Sequence, residues 1–206
     1  MRQGDRCVYD GYEVCLFPLD RLNCTQTWGP SSFSHCCGKP TDWIGSTSHY
    51  PYYAPFSCHR YYIYGATVCY VSDNKVWTPM GLTYVSIMFI HDESIPTQTH
   101  FNQGDLIGHT GIAGGGTGDH VHLECSNVAN DRWVGYGITC GGYGNECWAF
   151  QNPIAPNDIF YLTGEETIIN TQGLSYEVWQ DSPIGQHRFK WWMFRLLLER
   201  RKRYGI

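Results

Sequence analysis

The feature that most constrains this chain is a period of two. In "HVHLEC", residues 120–125, Val121, Leu123 and Cys125 alternate with His120, His122 and Glu124. That is the pattern of a strand with one face on a core and the other face polar. Strand-type runs recur on both sides of it. "YYAPFSCHRYYIYGATVCYVSD" is rich in Tyr, Val and Ile and predicts two strands joined near Tyr64 and Gly65. "LTYVSIMFIHD" (82–92) is long enough for a central strand, "FNQGDLIGHTGIAG" reads as a turn, a short strand and a loose loop, and "DRWVGYGITC" is a further strand. No internal repeat and no helical periodicity is visible before residue 180. The expected fold is mainly β, a mostly antiparallel sheet, with residues 1–16 as an N-terminal lead-in of short strands. The compact part closes near Leu162, where "NPIAPNDIFYL" carries two prolines.

Beyond that point the character changes. Residues 1–162 hold 7 Lys+Arg against 14 Asp+Glu, a net −7, whereas residues 163–206 hold 7 against 5, a net +2. The stretch "IGQHRFKWWMFRLLLERRKRYGI" wraps basic residues around Trp191, Trp192, Phe194 and three leucines, and predicts a short basic, apolar helix in a C-terminal extension, 163–206. It is too short to span a bilayer. Docking to another protein or to a second copy is the expectation for 185–206, ahead of folding back on the domain or lying on a membrane surface. The acidic body argues against nucleic acid as a partner, because neutralising phosphates needs clustered basic groups. "MRQGDRCVYDGYEVC" lacks the apolar core of a signal peptide.

The ten cysteines include no C-x-x-C pair, which argues against a thiolate zinc ribbon. Ten is many for a reducing compartment, so some are expected to pair if the protein works outside a cell. Cys36 and Cys37 are neighbours and would not readily bridge to each other.

His120 and His122 need partners to form a metal site. A hydrolytic zinc centre takes three ligands from His, Asp and Glu and leaves a position for water. Among the nine histidines, His91 ends the strand-like run "YVSIMFIHDE", and His35 follows a turn in "SHCCGKPTDWIG" with Asp42 after it. These positions form one cluster if the strands are sheet neighbours. Glu124 shares the polar face, as an outer support or a solvated group. His49, His59, His100 and His109 read as loop or surface residues, and Tyr61, Tyr62 and Trp77 as packing residues that could also line a groove. The glycines 114–116 lack the Lys-Ser/Thr of a phosphate cradle and read instead as a mobile rim of a cleft.

The order of these residues resembles the lysostaphin/LytM-type zinc metallopeptidases, which cut peptide cross-links in bacterial peptidoglycan. That family carries an early H-x-x-x-D motif, a lone His ending a central strand, and a late H-x-H after a stretch like G-D-x-I-G-x-x-G-x-T-G. Here "FNQGDLIGHTGIAGGGTGDHVHLE" matches the late part, "YYAPFSCHR" echoes an AP…G segment, and "NPIAPNDIFYL" echoes a terminal NP…YL. The likeness runs through residues 17–162. It departs at the first motif, where six residues, "CCGKPT", separate His35 from Asp42; thiolate from Cys36 or Cys37 in place of a ligand is the alternative there.

The resemblance implies that His35, Asp42 and His122 bind Zn2+, while His91 and His120 act on the attacking water and the developing oxyanion. It implies a zinc metalloendopeptidase acting on peptidoglycan. With the aromatic-rich composition and the C-terminal tail, the expectation is a bacteriophage enzyme of the virion tail tip, opening the wall for genome delivery. A lysin released at the end of infection is one alternative. A non-catalytic wall-binding or tail module on the same scaffold is the other.

Overall fold

The computed structural model describes residues 1–141, 144–172 and 174. The predicted helix and docking segment at 185–206 lies outside the described residues.

The body is mainly β, as expected. A nine-stranded sheet dominates, and its strands run in the spatial order His100–Phe101, Cys58–Tyr64, Thr67–Ser72, Ser86–Ile90, Val121–Ser126, Thr41–Trp43, Arg21–Gln26 and Thr167–Asn170. Pro153–Ile154 pairs beside the Val121–Ser126 strand. All contacts are antiparallel except that Thr167–Asn170 runs parallel to Arg21–Gln26, so residues just past Leu162 add an edge strand. Four two-stranded sheets flank this body, among them the hairpin Trp133–Thr139 with Glu146–Phe150. The one helix among the described residues is the single turn Pro156–Ile159, with Pro at its first turn, where the missing N–H costs nothing.

The predicted pair around Tyr64 is present as Cys58–Tyr64 and Thr67–Ser72, and Gly65 takes a φ of 56° in the connection. The run 82–92 is not one strand. Gly81–Thr83 folds back on Val76–Thr78 as a separate hairpin. Ser72 and Val85 then exchange bonds: the Ser72 N–H donates to the Val85 carbonyl and the Val85 N–H to Ser72 Oγ. Only Ser86–Ile90 enters the large sheet.

The period of two sorts the faces. Val121, Leu123 and Cys125, with Ile87, Phe89, Val68, Tyr70 and Trp43, point into the main core and are all essentially inaccessible. The opposite face carries His122 and Glu124. Residues directly opposite on neighbouring strands share a face, and His122 stands between Asp42 on one side and Ile90 on the other, with Thr67 opposite Ile90. Asp42, His122, Ile90 and Thr67 therefore form one row across four strands.

Candidate metal centre

That row floors a cleft of about 390 Å³. His35 closes one end of it from a loop rather than a strand. Gln26 braces that loop: its side-chain amide donates to the hydroxyls of Ser32 and Ser34, 2.9 Å each, and Ser32 Oγ accepts the His35 N–H at 3.2 Å. Two disulfides, Cys36–Cys140 and Cys37–Cys147, then tie the next two residues to the Trp133–Phe150 hairpin. These bonds consume the thiols, so neither Cys36 nor Cys37 serves as a ligand. The other six cysteines are buried thiols.

His35, Asp42 and His122 converge, with one ligand atom from each lying within 4.8 Å of the others. His35 Nε2 is 3.3 Å and His122 Nδ1 3.2 Å from Asp42 Oδ1. Yet Asp42 Oδ1 is buried without a properly directed hydrogen bond. A buried carboxylate oxygen left this way is costly. Three ligand-type atoms crowded around a common point, instead of paired by hydrogen bonds, fit a cation held between them. Two imidazoles and a carboxylate are a donor set suited to zinc.

The electrostatics agree. Burial raises the Asp42 pKa, but His122 and His35 outweigh it and hold the carboxyl well below the usual range. For His122, burial lowers the pKa, while the adjacent carboxylates of Asp42 and Glu124 overcome this and raise it to about 9. His35 is lowered, by burial first, against the pull of Asp42.

Glu124 is not solvated. It is 1% exposed; Oε1 lies 3.2 Å from His122 Nε2, and Oε2 accepts the Phe150 N–H at 2.9 Å. With Nε2–H donated to Glu124, Nδ1 is the nitrogen of His122 turned toward Asp42, and it becomes available to a metal once its proton leaves. A carboxylate behind a ligating imidazole fixes its tautomer and raises its basicity.

His91 and His120 stand beside this triad, their rings 4.4 Å apart. His91 has a φ of 87°, a conformation non-glycine residues seldom adopt and one that concentrates at functional sites. Its carbonyl accepts the Ala113 N–H at 3.1 Å, and its Nδ1 lies 2.6 Å from the Ala113 carbonyl. His120 Nδ1 makes a matching 2.6 Å contact with the Gly118 carbonyl. A carbonyl only accepts, so both rings carry the proton on Nδ1 and present Nε2 as a base. His120 Nε2 is 3.6 Å from Asp42 Oδ2. Burial lowers the His91 pKa to about 4, with the Ala113 bond opposing. The glycines 114–116 do line the cleft; a Cβ on Gly116 would lie 3.4 Å from both His91 Nδ1 and His120 Cε1.

The cleft walls were not legible beforehand. Tyr61, Tyr62 and Trp77 lie outside it, and Phe33, Trp133 and Trp148 line it. Tyr61 instead donates its hydroxyl to the Asp131 carbonyl. His49 in its loop and His100 at the surface are as expected, while His59 and His109 are partly buried on strands.

No family model matches the chain. Over 131 residues it is 35% identical to Morphogenesis protein 1 of Bacillus phage B103, an alignment covering 61% of this chain and 35% of that protein. The chain thus spans about a third of the length of this curated relative, a phage protein. Among solved structures it is similar to a zinc containing peptidase from Vibrio cholerae, with a TM-score of 0.39, 17% identity, and 57% of this chain and 41% of that chain covered.

Proposed function

We propose that this chain is a zinc-dependent endopeptidase that cleaves peptide cross-links of bacterial peptidoglycan as part of a phage virion. The observation that carries this reading is the convergence of His35, Asp42 and His122 on one point, with His91 and His120 presenting Nε2 beside it.

Zinc at the triad would make a water acidic enough to attack at neutral pH and would polarise the scissile carbonyl. The chain's own residues supply the remainder. An extended peptide fits the open cleft between the glycine rim and the wall of Phe33, Trp133 and Trp148. One of the two Nε2 atoms of His91 and His120 takes the proton of the water and returns it to the leaving amine. The other, protonated, donates to the oxygen on which charge develops. Glu124 keeps His122 oriented throughout.

Similarity to Morphogenesis protein 1 of Bacillus phage B103 supports a virion-associated place; within the virion we propose the tail tip, where a wall-opening activity would assist genome delivery. Residues 185–206 would dock the enzyme to another tail protein or to a second copy. A protein lacking 185–206 that assembles into particles as well as the full chain does would overturn that docking role.

The enzymatic reading is tested by incubating isolated cell walls with the zinc-loaded protein and identifying the released fragments by mass spectrometry. New amino and carboxyl termini within the cross-linking peptides are the expected result, and they name the bond. Intact cross-links in the presence of stoichiometric zinc would leave a non-catalytic module instead.

A further inference from the structure

His59 and His100 stand directly opposite each other on the neighbouring antiparallel strands Cys58–Tyr64 and His100–Phe101. Their side chains therefore share a face, and their ring centres are 5.6 Å apart with the planes 28° from parallel. Two imidazoles bound through nitrogen at about 2.1 Å to one tetrahedral ion place their ring centres roughly 5–6 Å apart. Both are accessible to solvent: His59 is partly exposed and His100 exposed.

The inner nitrogens are already engaged. His59 Nδ1 lies 2.7 Å from Asp73 Oδ1. A carboxylate accepts, so it fixes the proton on Nδ1 and leaves the neutral ring a lone pair on Nε2. His100 Nδ1 lies 3.1 Å from the Thr99 hydroxyl, which can accept the same proton. Among the described residues, the two Nε2 atoms have no hydrogen-bond partner. One divalent ion drawn between the two rings would satisfy both lone pairs at once. The Asp73–His59 contact repeats the carboxylate support that Glu124 gives His122.

The pair is remote from the cleft. His59 is paired with Val71, Val71 with Ser86, and Ser86 with Ser126. Ser126 lies four residues along the strand from His122. Three strand spacings and four residue steps amount to roughly 20 Å.

We infer that His59 and His100 form a second metal site, a two-imidazole chelate for a divalent transition ion, completed by water and backed by Asp73. Its structural effect is to pin the two-residue edge strand His100–Phe101, which ends the segment leaving His91, to the body of the sheet. Imidazole ligation places Cu2+ first and Ni2+ and Zn2+ within range, and excludes Mg2+ and Ca2+.

The test titrates Zn2+ into the metal-free full-length protein by calorimetry. Wild type should take two equivalents, the second more weakly. His100→Ala and His59→Gln should each take one, with wall hydrolysis unchanged. Asp73→Asn should weaken the second equivalent roughly 10- to 100-fold. Excess Zn2+ should raise the melting temperature of zinc-loaded wild type but not of His100→Ala, since binding stabilises only the folded form. A single equivalent in wild type, or a second one that survives in the His59→Gln/His100→Ala double variant, would overturn the site. Because His35→Ala removes only the first equivalent, the outcome is separable from that of the proposed catalytic centre.

Discussion

His122 and Asp42 face each other across two paired strands, with Nδ1 of the one 3.2 Å from Oδ1 of the other. The strand register holds both backbones opposite each other and keeps the two side chains on one face of the sheet. The ligands and the neighbouring bases are therefore expected to separate cleanly by mutation.

His122→Ala and Asp42→Ala should each purify without zinc at the catalytic triad. His120→Ala should retain that zinc while wall hydrolysis falls by about 10²- to 10⁴-fold, the usual contribution of a positioned acid or base. Metal analysis together with a turbidity assay on isolated walls checks both. A His120→Ala protein devoid of triad zinc would show that this ring is a ligand.

Metal binding at the triad should release about one proton near pH 7.5. In the metal-free protein His122 stays protonated up to about 9, Asp42 is already ionised, and His35 is held neutral. Affinity should then rise roughly tenfold per pH unit from about 7 to 9 and flatten above. The same raised pKa means that His122 stabilises the metal-free fold fully below about 6.5 and loses this contribution as pH climbs through about 9. Calorimetry of a triad-only variant, His100→Ala, in buffers of different ionisation enthalpy counts the proton. Zero released would place His122 neutral before binding.

Glu124→Gln should keep the fold and weaken zinc at the triad about 10- to 100-fold. The amide can still accept from the Phe150 N–H, whereas the charge behind His122 Nε2 is gone. Unchanged affinity would reduce Glu124 to a packing residue.

Reduction should loosen His35. All cysteines outside the pairs Cys36–Cys140 and Cys37–Cys147 are already thiols, so a reductant acts on those two bonds alone. Each closes a loop of more than a hundred residues, and its loss costs about 2–5 kcal/mol. Wild type should melt at a lower temperature in reductant and lose triad zinc faster, while Cys36→Ser/Cys37→Ser should be indifferent to it. A wild-type melt insensitive to reductant would show the bonds absent in solution.

Much of the centre was readable from residue order. The alternation in "HVHLEC" put His122 and Glu124 on one face, and the ordered positions of His35, Asp42 and His91 supplied residues that the structure gathers beside it. What escaped the sequence depends on distant register. Disulfide partners 104 and 110 residues apart carry no local signal. Phe33, Trp133 and Trp148 look like ordinary packing aromatics until the hairpin is folded over the row. His59 and His100 meet only because two strands forty residues apart pair in one register. Ser86–Ile90 is shorter than its apolar run because Gly81–Thr83 is recruited to a local hairpin, a competition that hydrophobicity alone does not resolve.

The strand Val121–Ser126 belongs to the core through one set of side chains and to the candidate metal centre through the other. A slip of one residue would turn Val121 and Leu123 into the open cleft and drive His122 and Glu124 into the apolar interior. Each exposed aliphatic would forfeit about 1.5–3 kcal/mol, and each buried polar group would add its own penalty. Chains that misplace these histidines and carboxylates are thus poor folders first. The geometry of the row is guarded by the same selection that keeps the protein from aggregating.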